Sequence, residues 1–473
     1  MFVDREQELA FLDSLLRQPQ AQAQMVLLYG RRRVGKTALA RRWAEGAGRP
    51  AFYWAAERET APLQRRKLFA RILGVPASQG PTFESWADLW TAFAAQVGNR
   101  PHLLILDEVP QAAEADSAFL SALQNAWDQQ FKSSRLFLLL SGSHVHTMET
   151  LLAHGSPLFG RFTGQWHLQP LPFGALRTFF PRWPAEQRVA LFAILGGVPA
   201  YLERLQPEVS LSANLRQIIL SPGSLFTAEP DLLLFDELRE PRVYRAIMQA
   251  IGGGAHSLEE IANAALVGKA HLSAYLSRLQ ELRLVERRLP VTLPPSRQVS
   301  SRRGRYYLAD PFLSFYFRFV APRQDEIGYR SERVMAEIQD QLRPFVAAGF
   351  EALCRDWVGR ASQAGRLAFE VQHIGAHWSR GVQVDVVGIN WREKAILLGE
   401  CKWGTETVAR EVVTDLVDNK TPRVLKSLPA EGRPWRVQFA LFARASLTPA
   451  ARALAQAHQV RVVDLRQLDR DLR

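Results

Sequence analysis

The chain has 473 residues, 47% hydrophobic and 22% charged, which is globular composition and excludes disorder over most of its length. Its two cysteines, Cys354 and Cys401, exclude a disulfide framework and a four-cysteine zinc site. Lys and Arg outnumber Asp and Glu by 59 to 47, a net charge of +12 that suits a polyanionic partner. The charged start, Met1 to Glu6, lacks an apolar signal core, and no apolar run reaches the roughly 18 residues of a membrane span. The expectation is a cytoplasmic protein with no membrane partner.

The first part of the chain alternates strand-like and helix-like stretches. Strands are expected at Met25–Tyr29, Ala51–Trp54, Leu103–Leu106, Leu136–Leu140 and Gln165–Leu168, with helices between them. That order predicts an α/β fold with a parallel sheet covered on both faces. Gly30 to Thr37, GRRRVGKT, fits G-x-x-x-x-G-K-[ST] between a strand and a helix, the context that a phosphate-binding loop requires. Gly30 and Gly35 let backbone N–H groups curl around phosphate oxygens, and the following helix points its positive end at them. Lys36 would neutralise β/γ charge, and Thr37 would hold Mg²⁺. The apolar strand before Asp107 and Glu108 ends in two carboxylates, Asp107 for the magnesium shell and Glu108 to polarise the attacking water. Ser141, at the next polar strand end, is placed to touch the γ-phosphate or that water. Arg161 is a candidate for the γ-phosphate of its own or a neighbouring subunit. The chemistry expected of this part is binding and hydrolysis of ATP.

From Phe173 to Leu238 the pattern is helical, broken at Gly196-Gly197-Val198-Pro199. Helices at Val243–Ala250, Leu258–Ala264 and Lys269–Leu282 follow, then strands at Val285–Val291 and Arg305–Leu308. Three helices and a hairpin are the order of a winged helix-turn-helix. The window from Pro241 to Val320 holds 12 Lys+Arg against 5 Asp+Glu. Lys269, His271, Ser273 and Arg278 face outward on the third helix, and Arg302, Arg303 and Arg305 lie on the hairpin. The tip between the two strands, Pro294–Ser296 and Ser300–Gly304, is polar and basic. DNA is the partner this predicts.

The last part begins near Pro344, with a helix at Phe345–Val358, strands at Leu367–Gln372, Val382–Ile389 and Ala395–Cys401, a helix at Thr407–Asn419, and strands at Arg436–Phe442 and Val460–Asp464. Asp385 and the Glu400-x-Lys402 strand end would share one sheet edge. Two carboxylates there form a hard oxygen site for Mg²⁺ or Mn²⁺, with Glu351 completing the metal shell. Lys402 would hold a metal-activated water or stabilise phosphorane charge. Alternation turns Cys401 to the other face. A salt bridge of Asp385 with Lys402 is the competing reading. His144 and His146 read as structural, since no third ligand lies near them in the sequence.

These motifs resemble the archaeal-type P-loop ATPases, relatives of the signal-transduction ATPases with numerous domains and of the AAA+ class. The resemblance runs through Phe2–Leu9, Gly30–Thr37, Leu103–Glu108, Pro157–Arg161, Gly196–Pro199 and Tyr306–Leu313, and ends in a domain similar to PD-(D/E)xK nucleases. It implies a P-loop core over 1–172, a helical lid over 173–240, a winged helix over 241–320, a linker over 321–343 and a nuclease-like α/β domain over 344–473. It also implies that Arg5 lies near the nucleotide base, that Pro199 senses the nucleotide from the lid, and that chains self-associate to complete sites. Asp385, Glu400 and Lys402 match the nuclease motif. Gln383 stands where family members often carry a second carboxylate, which weakens a second metal site. The resulting expectation is ATP-controlled DNA engagement with metal-dependent cleavage. The alternative is a nucleotide-operated regulatory switch, or transcriptional regulator, with an inactive nuclease-like adaptor.

Overall fold

The computed structural model of the chain describes residues 1–18, 22–238, 240–298, 301–327, 329–429 and 434–473, without the side chains of 232, 233 and 235–237. Ser300, part of the expected hairpin tip, lies outside the described residues. The chain divides into two compact units, Met1–Leu171 with Val198–Ala200, and Pro172–Gly197 with Tyr201–Arg473.

The first unit is built on strands β1 (Gln24–Tyr29), β2 (Ala51–Ala55), β3 (His102–Asp107), β4 (Leu136–Gly142) and β5 (Gly164–His167), in the order β2-β3-β4-β1-β5. Every pairing is parallel. The uninterrupted apolar runs follow from this. Leu27, Leu104, Leu138 and Leu140 join one hydrophobic cluster with Trp86, Trp90 and Phe93. Their strand neighbours Val26, Leu28, Leu103, Ile105 and Leu139 join the cluster on the opposite face with Leu39 and Trp43. Alternation along each strand feeds both layers, so both sets of side chains must be apolar. The strand expected at Gln165–Leu168 sits one residue earlier.

The second unit opens with helices at Leu176–Phe179, Ala185–Leu195 and Leu225–Glu237, among shorter turns. Gly196 ends the second of these with φ of 63°, a left-handed backbone that favours glycine. Helices Pro241–Gly252, Leu258–Ala265 and Lys269–Glu281 follow. Ser257 and Glu260 form a capping box on the middle one. Leu272, Leu276 and Leu279 are the buried stripe of the third, and Lys269, His271 and Ser273 are exposed. An antiparallel hairpin comes next, β6 (Val285–Arg288) and β7 (Arg305–Leu308). Strand β6 stops short of the expected Val291 because Pro290 has no N–H to give a ladder.

A 33-residue helix, Ser331–Gln363, then passes straight through Pro344. Residues 331–343, expected within a linker, are therefore helical. Proline removes one backbone bond, but buried Val334, Met335 and Ile338 anchor the helix before it, and Val346, Phe350, Leu353 and Trp357 anchor it after. A sheet of β8 (His373–Ser379), β9 (Val382–Asn390), β10 (Ala395–Lys402), β11 (Arg436–Ala443) and β12 (Arg461–Asp464) follows, in the order β12-β11-β10-β9-β8. The β8-β9-β10 portion is antiparallel and β10-β11-β12 is parallel. No strand forms at Leu367–Gln372; the first strand starts at His373, and Phe369 is buried in the loop before it. The helical run after β10 spans Arg410 to Lys426, longer than the expected Thr407–Asn419. Helices Pro449–Ala457 and Leu465–Asp471 complete the unit.

Candidate functional site

At the carboxyl end of the parallel sheet, the loop after β1 runs into helix Lys36–Gly46. Gly35 caps that helix with φ of 98°, so its backbone requires glycine. Gly30 is required for space, since a Cβ there would collide with the Leu168 carbonyl oxygen. The first helical turn leaves N–H groups aimed at the loop, the ordinary cradle for phosphate oxygens.

Lys36 is 5% exposed and donates from Nζ to Gly30 O at 2.9 Å, Arg31 O at 3.1 Å and Ser143 Oγ at 2.8 Å. Burial pushes its ammonium down to about 8, against the pull of Glu108 and Asp107. Ser143 in turn donates through its hydroxyl to Glu108 Oε1 and through its N–H to Oε2 at 3.2 Å. Glu108 turns the chain with φ of 53°. Its N–H returns to Asp107 Oδ1 at 3.0 Å. Asp107 Oδ2 accepts from the Thr37 hydroxyl and from the Tyr53 hydroxyl, both at 2.7 Å. Burial, then Asp107, push the Tyr53 phenol up to about 12, so it stays protonated and donates. Lys36, Thr37, Asp107 and Glu108 thus belong to one hydrogen-bonded network.

This network fits Mg²⁺. The Thr37 hydroxyl donates a hydrogen bond to Asp107, which leaves an oxygen lone pair beside a carboxylate, the donors a hard cation takes.

The remaining expected residues fall differently. Ser141 is fully buried with its Oγ unpartnered, while Ser143, two residues on, bonds to Lys36 and Glu108. Arg161 grips Asp128, with Nη2 to Oδ2 at 2.6 Å, and also donates to the Pro157 and Phe159 carbonyls at 3.0 Å. Arg5 is a buried brace, bonded to Val34 O and Gln169 O at 2.9 Å and to Glu8 at 2.8 Å. Pro199 opens the short helix Pro199–Leu202, and Val198–Ala200 groups with the first unit. Tyr53 and Ser143 were not singled out by sequence. The polar Ser141-Gly142-Ser143 strand end was the signal for the second, and none pointed to the first.

In the second unit, the β9/β10 register pairs Val386 with Gly399, so Asp385 and Glu400 follow as neighbours at one sheet edge. Cys401 N donates to Asp385 Oδ2 at 3.1 Å, and Cys401 packs against the helix side of the sheet. Arg355 binds the Asp385 carbonyl at 2.8 Å and lies 3.6 Å from Glu351 Oε2. Both Glu400 oxygens hold lysines, Oε1 with Lys402 at 3.0 Å and Oε2 with Lys420 at 2.7 Å. The salt-bridge partner of Lys402 is therefore Glu400, where the sequence suggested Asp385. Burial, with Asp385 next, pushes Glu351 up to about 7, and burial with Glu400 pushes Asp385 up. Burial works against the Lys420 charge, but Glu400 and Asp385 carry its pKa above the ordinary value. Among the described residues, no group of three or more His, Cys, Asp or Glu side chains is arranged to hold a metal ion. Glu351, Asp385 and Glu400 do not assemble into the expected three-ligand set. Arg355, one turn after Glu351 on the same helix, and Lys420 also join this cluster.

Among the described residues, no helix is long and apolar enough to cross a membrane. Residues 2–205 match the family described as an ATPase domain predominantly from Archaea. Residues 316–413 match a family described as archaeal and bacterial proteins of unknown function. The chain is 32% identical over 406 residues to an uncharacterised protein of Methanocaldococcus jannaschii, MJECL04, covering 85% of this chain and 88% of that one. Among solved structures, it is similar to a Walker-type ATPase of Pyrococcus abyssi, with 20% identity, a TM-score of 0.46, and 67% and 96% of the two chains covered. It is also similar to the Aeropyrum pernix ORC2 protein in ADPNP–ADP complexes, with 16% identity, a TM-score of 0.46, and 72% and 95% covered. The chain belongs to the family of the Methanocaldococcus jannaschii protein, and it carries an archaeal-type ATPase domain followed by that second conserved region.

Proposed function

We propose that ATP bound and hydrolysed at Gly30–Thr37, Asp107 and Glu108 controls how the chain engages DNA. The observation that carries the ATP half is the single network of Lys36, Ser143, Glu108, Asp107 and Thr37 at the end of a parallel sheet. Backbone N–H groups of the loop and Lys36 bind phosphate oxygens, and phosphate takes Lys36 from the Gly30, Arg31 and Ser143 oxygens that hold it. Thr37 and Asp107 would hold Mg²⁺, which would supply charge neutralisation at the β- and γ-phosphates. Glu108 accepts the proton of the attacking water, and Ser143 orients its carboxylate.

The assignment of residues 241–320 as a winged helix rests on the three helices, the β6–β7 hairpin and the local positive charge. Exposed Lys269, His271, Ser273, Arg302 and Arg303 are its DNA-facing groups. Residues 1–172 are then the ATPase core, 173–240 the lid, and 344–473 a nuclease-like α/β domain whose helix begins upstream at Ser331. In that domain Asp385, Glu400 and Lys402 would cleave DNA with a divalent ion. Such an ion must take Glu400 from two lysines, and this occupancy favours a second reading, a regulatory switch whose C-terminal domain is an inactive adaptor.

Fluorescence anisotropy with a labelled duplex tests the central link. Affinity should differ between the ATP-bound and nucleotide-free chain, and Lys36→Ala should abolish the difference; equal affinity in both states contradicts it. Supercoiled plasmid with Mg²⁺ or Mn²⁺ separates the two readings. Nicking lost in Asp385→Ala/Glu400→Ala means an active nuclease, and no nicking by the wild type, with DNA binding retained, means the adaptor.

A further inference from the structure

The connection between β6 and β7 does not hang free. Past Pro290 it lies along strand β8, where Val291 N donates to Ala376 O at 3.0 Å. Thr292 Oγ1 sits 2.6 Å from His377 Nδ1, and both residues are buried. Farther on, Trp378 Nε1 donates to Arg303 O at 3.1 Å, and the Arg305 guanidinium stands 5.1 Å from the Trp378 ring centroid. The hairpin is therefore pinned to the edge of the C-terminal sheet, which also hides that edge from other strands.

Trp378 leads into the β8–β9 turn at Arg380 and Gly381. Arg423 Nη1 reaches across to the Gly381 carbonyl at 2.9 Å. About one helical turn before Arg423, Lys420 holds Glu400 at 2.7 Å. Arg302, Arg303, Arg380 and Arg423 are exposed, and Lys420 and Lys402 are half-buried against Glu400. From Gly381, four residues of extended strand lead to Asp385, about 13 Å. Asp415, 3.6 Å from Lys420, is an acidic group beside these cations.

We propose that the hairpin connection, the β8–β9 turn and the Lys420–Arg423 helix form one basic surface that seats the phosphate backbone of duplex DNA and leads it to the Asp385–Glu400 edge. A series of contacts links these cations from the hairpin to Glu400, and several separated cations on one continuous surface suit successive phosphates. Arginine forks suit phosphate oxygens. Trp378 serves as the clamp between hairpin and sheet, since its N–H is bonded to the hairpin backbone. The surface joins the two regions to which DNA contact was assigned separately, and it rests on the DNA reading above.

The test is duplex binding by the full-length chain, wild type against Arg303→Gln/Arg380→Gln/Arg423→Gln, titrated over a range of salt with a labelled duplex of about 20 base pairs. The triple variant should bind at least about tenfold more weakly, and the slope of log affinity against log salt should fall by about 2–3, since each phosphate contact contributes about 0.9. The corresponding triple Arg→Lys variant should keep the wild-type slope, which separates lost charge from a damaged fold. Wild-type affinity and slope in the glutamine variant, with binding lost in Lys269→Gln/Arg278→Gln, overturn this surface and leave the DNA reading standing. A wild-type chain that binds no duplex in any nucleotide state overturns both. Polyglutamate competing as well as unlabelled duplex overturns DNA as the occupant.

Discussion

Asp107 is held by three donors, the Thr37 and Tyr53 hydroxyls on Oδ2 and the Glu108 N–H on Oδ1. Tyr53→Phe deletes one hydrogen bond to a charged group, which should lower stability by about 1–2 kcal/mol in urea unfolding. An unchanged midpoint would show that the phenol bond contributes nothing. A second residue gives a pH signature. Glu351 holds its proton up to about 7 in the folded chain, against an ordinary 4.5. Between those values the folded state binds a proton that the unfolded state has lost, so stability falls as pH rises through this window and levels off above it. The total is at most about 3 kcal/mol, and Glu351→Gln should flatten the window in pH-dependent unfolding. Lys36, Thr37, Asp107 and Glu108 were legible in the sequence because a short loop and one strand end fix their spacing. Tyr53 and Lys420 were not, because strand order and helix packing bring them in from other elements. Ser143 was not legible beside Ser141, because alternation alone does not say which residue of a strand end clears the sheet.

Among elements, helix Leu465–Asp471 is fastened by charge. Asp469 is 7% exposed and takes Arg188 Nη2 on both oxygens, at 2.9 and 2.8 Å, with Arg177 on Oδ2 as well. Arg188 is itself 6% exposed. Asp469→Ala would leave a buried guanidinium without its counter-charge, so a loss of about 3–5 kcal/mol is expected in thermal or denaturant unfolding. A loss under about 1 kcal/mol would mean that water reaches Arg188. No sequence pattern linked residues 281 positions apart. Helix Ser331–Gln363 was only half legible, because Pro344 reads as a boundary when its flanking apolar contacts are unseen. Leu367-Ala368-Phe369 looked like a strand because it is apolar, yet Phe369 reaches the core from a loop. Strands β1, β3 and β4 of the first unit were legible because each is a buried apolar run, whereas β5, Gly164-Gln165-Trp166-His167, is not, and its bounds came out one residue off.

For the whole chain, the second unit has a core that ignores the order of its segments. Phe173 and Val189, from its first helices, share one cluster with Phe350, Trp357, Leu397, Phe442 and Leu468. A chain cut after residue 343 would expose Phe173 and Val189, and we expect residues 1–343 to be largely insoluble on expression, whereas a soluble, cooperatively folding fragment would contradict a shared core. The expected boundary at 344 followed a proline, and long-range packing of this kind leaves no local mark. The central claim concerns chemistry at the phosphate loop. It is tested most directly by ATP binding and ATP turnover of Glu108→Gln beside the wild type. The account predicts ATP affinity within a few-fold of wild type and turnover lower by about 100-fold or more. Turnover by Glu108→Gln at the wild-type rate would contradict it.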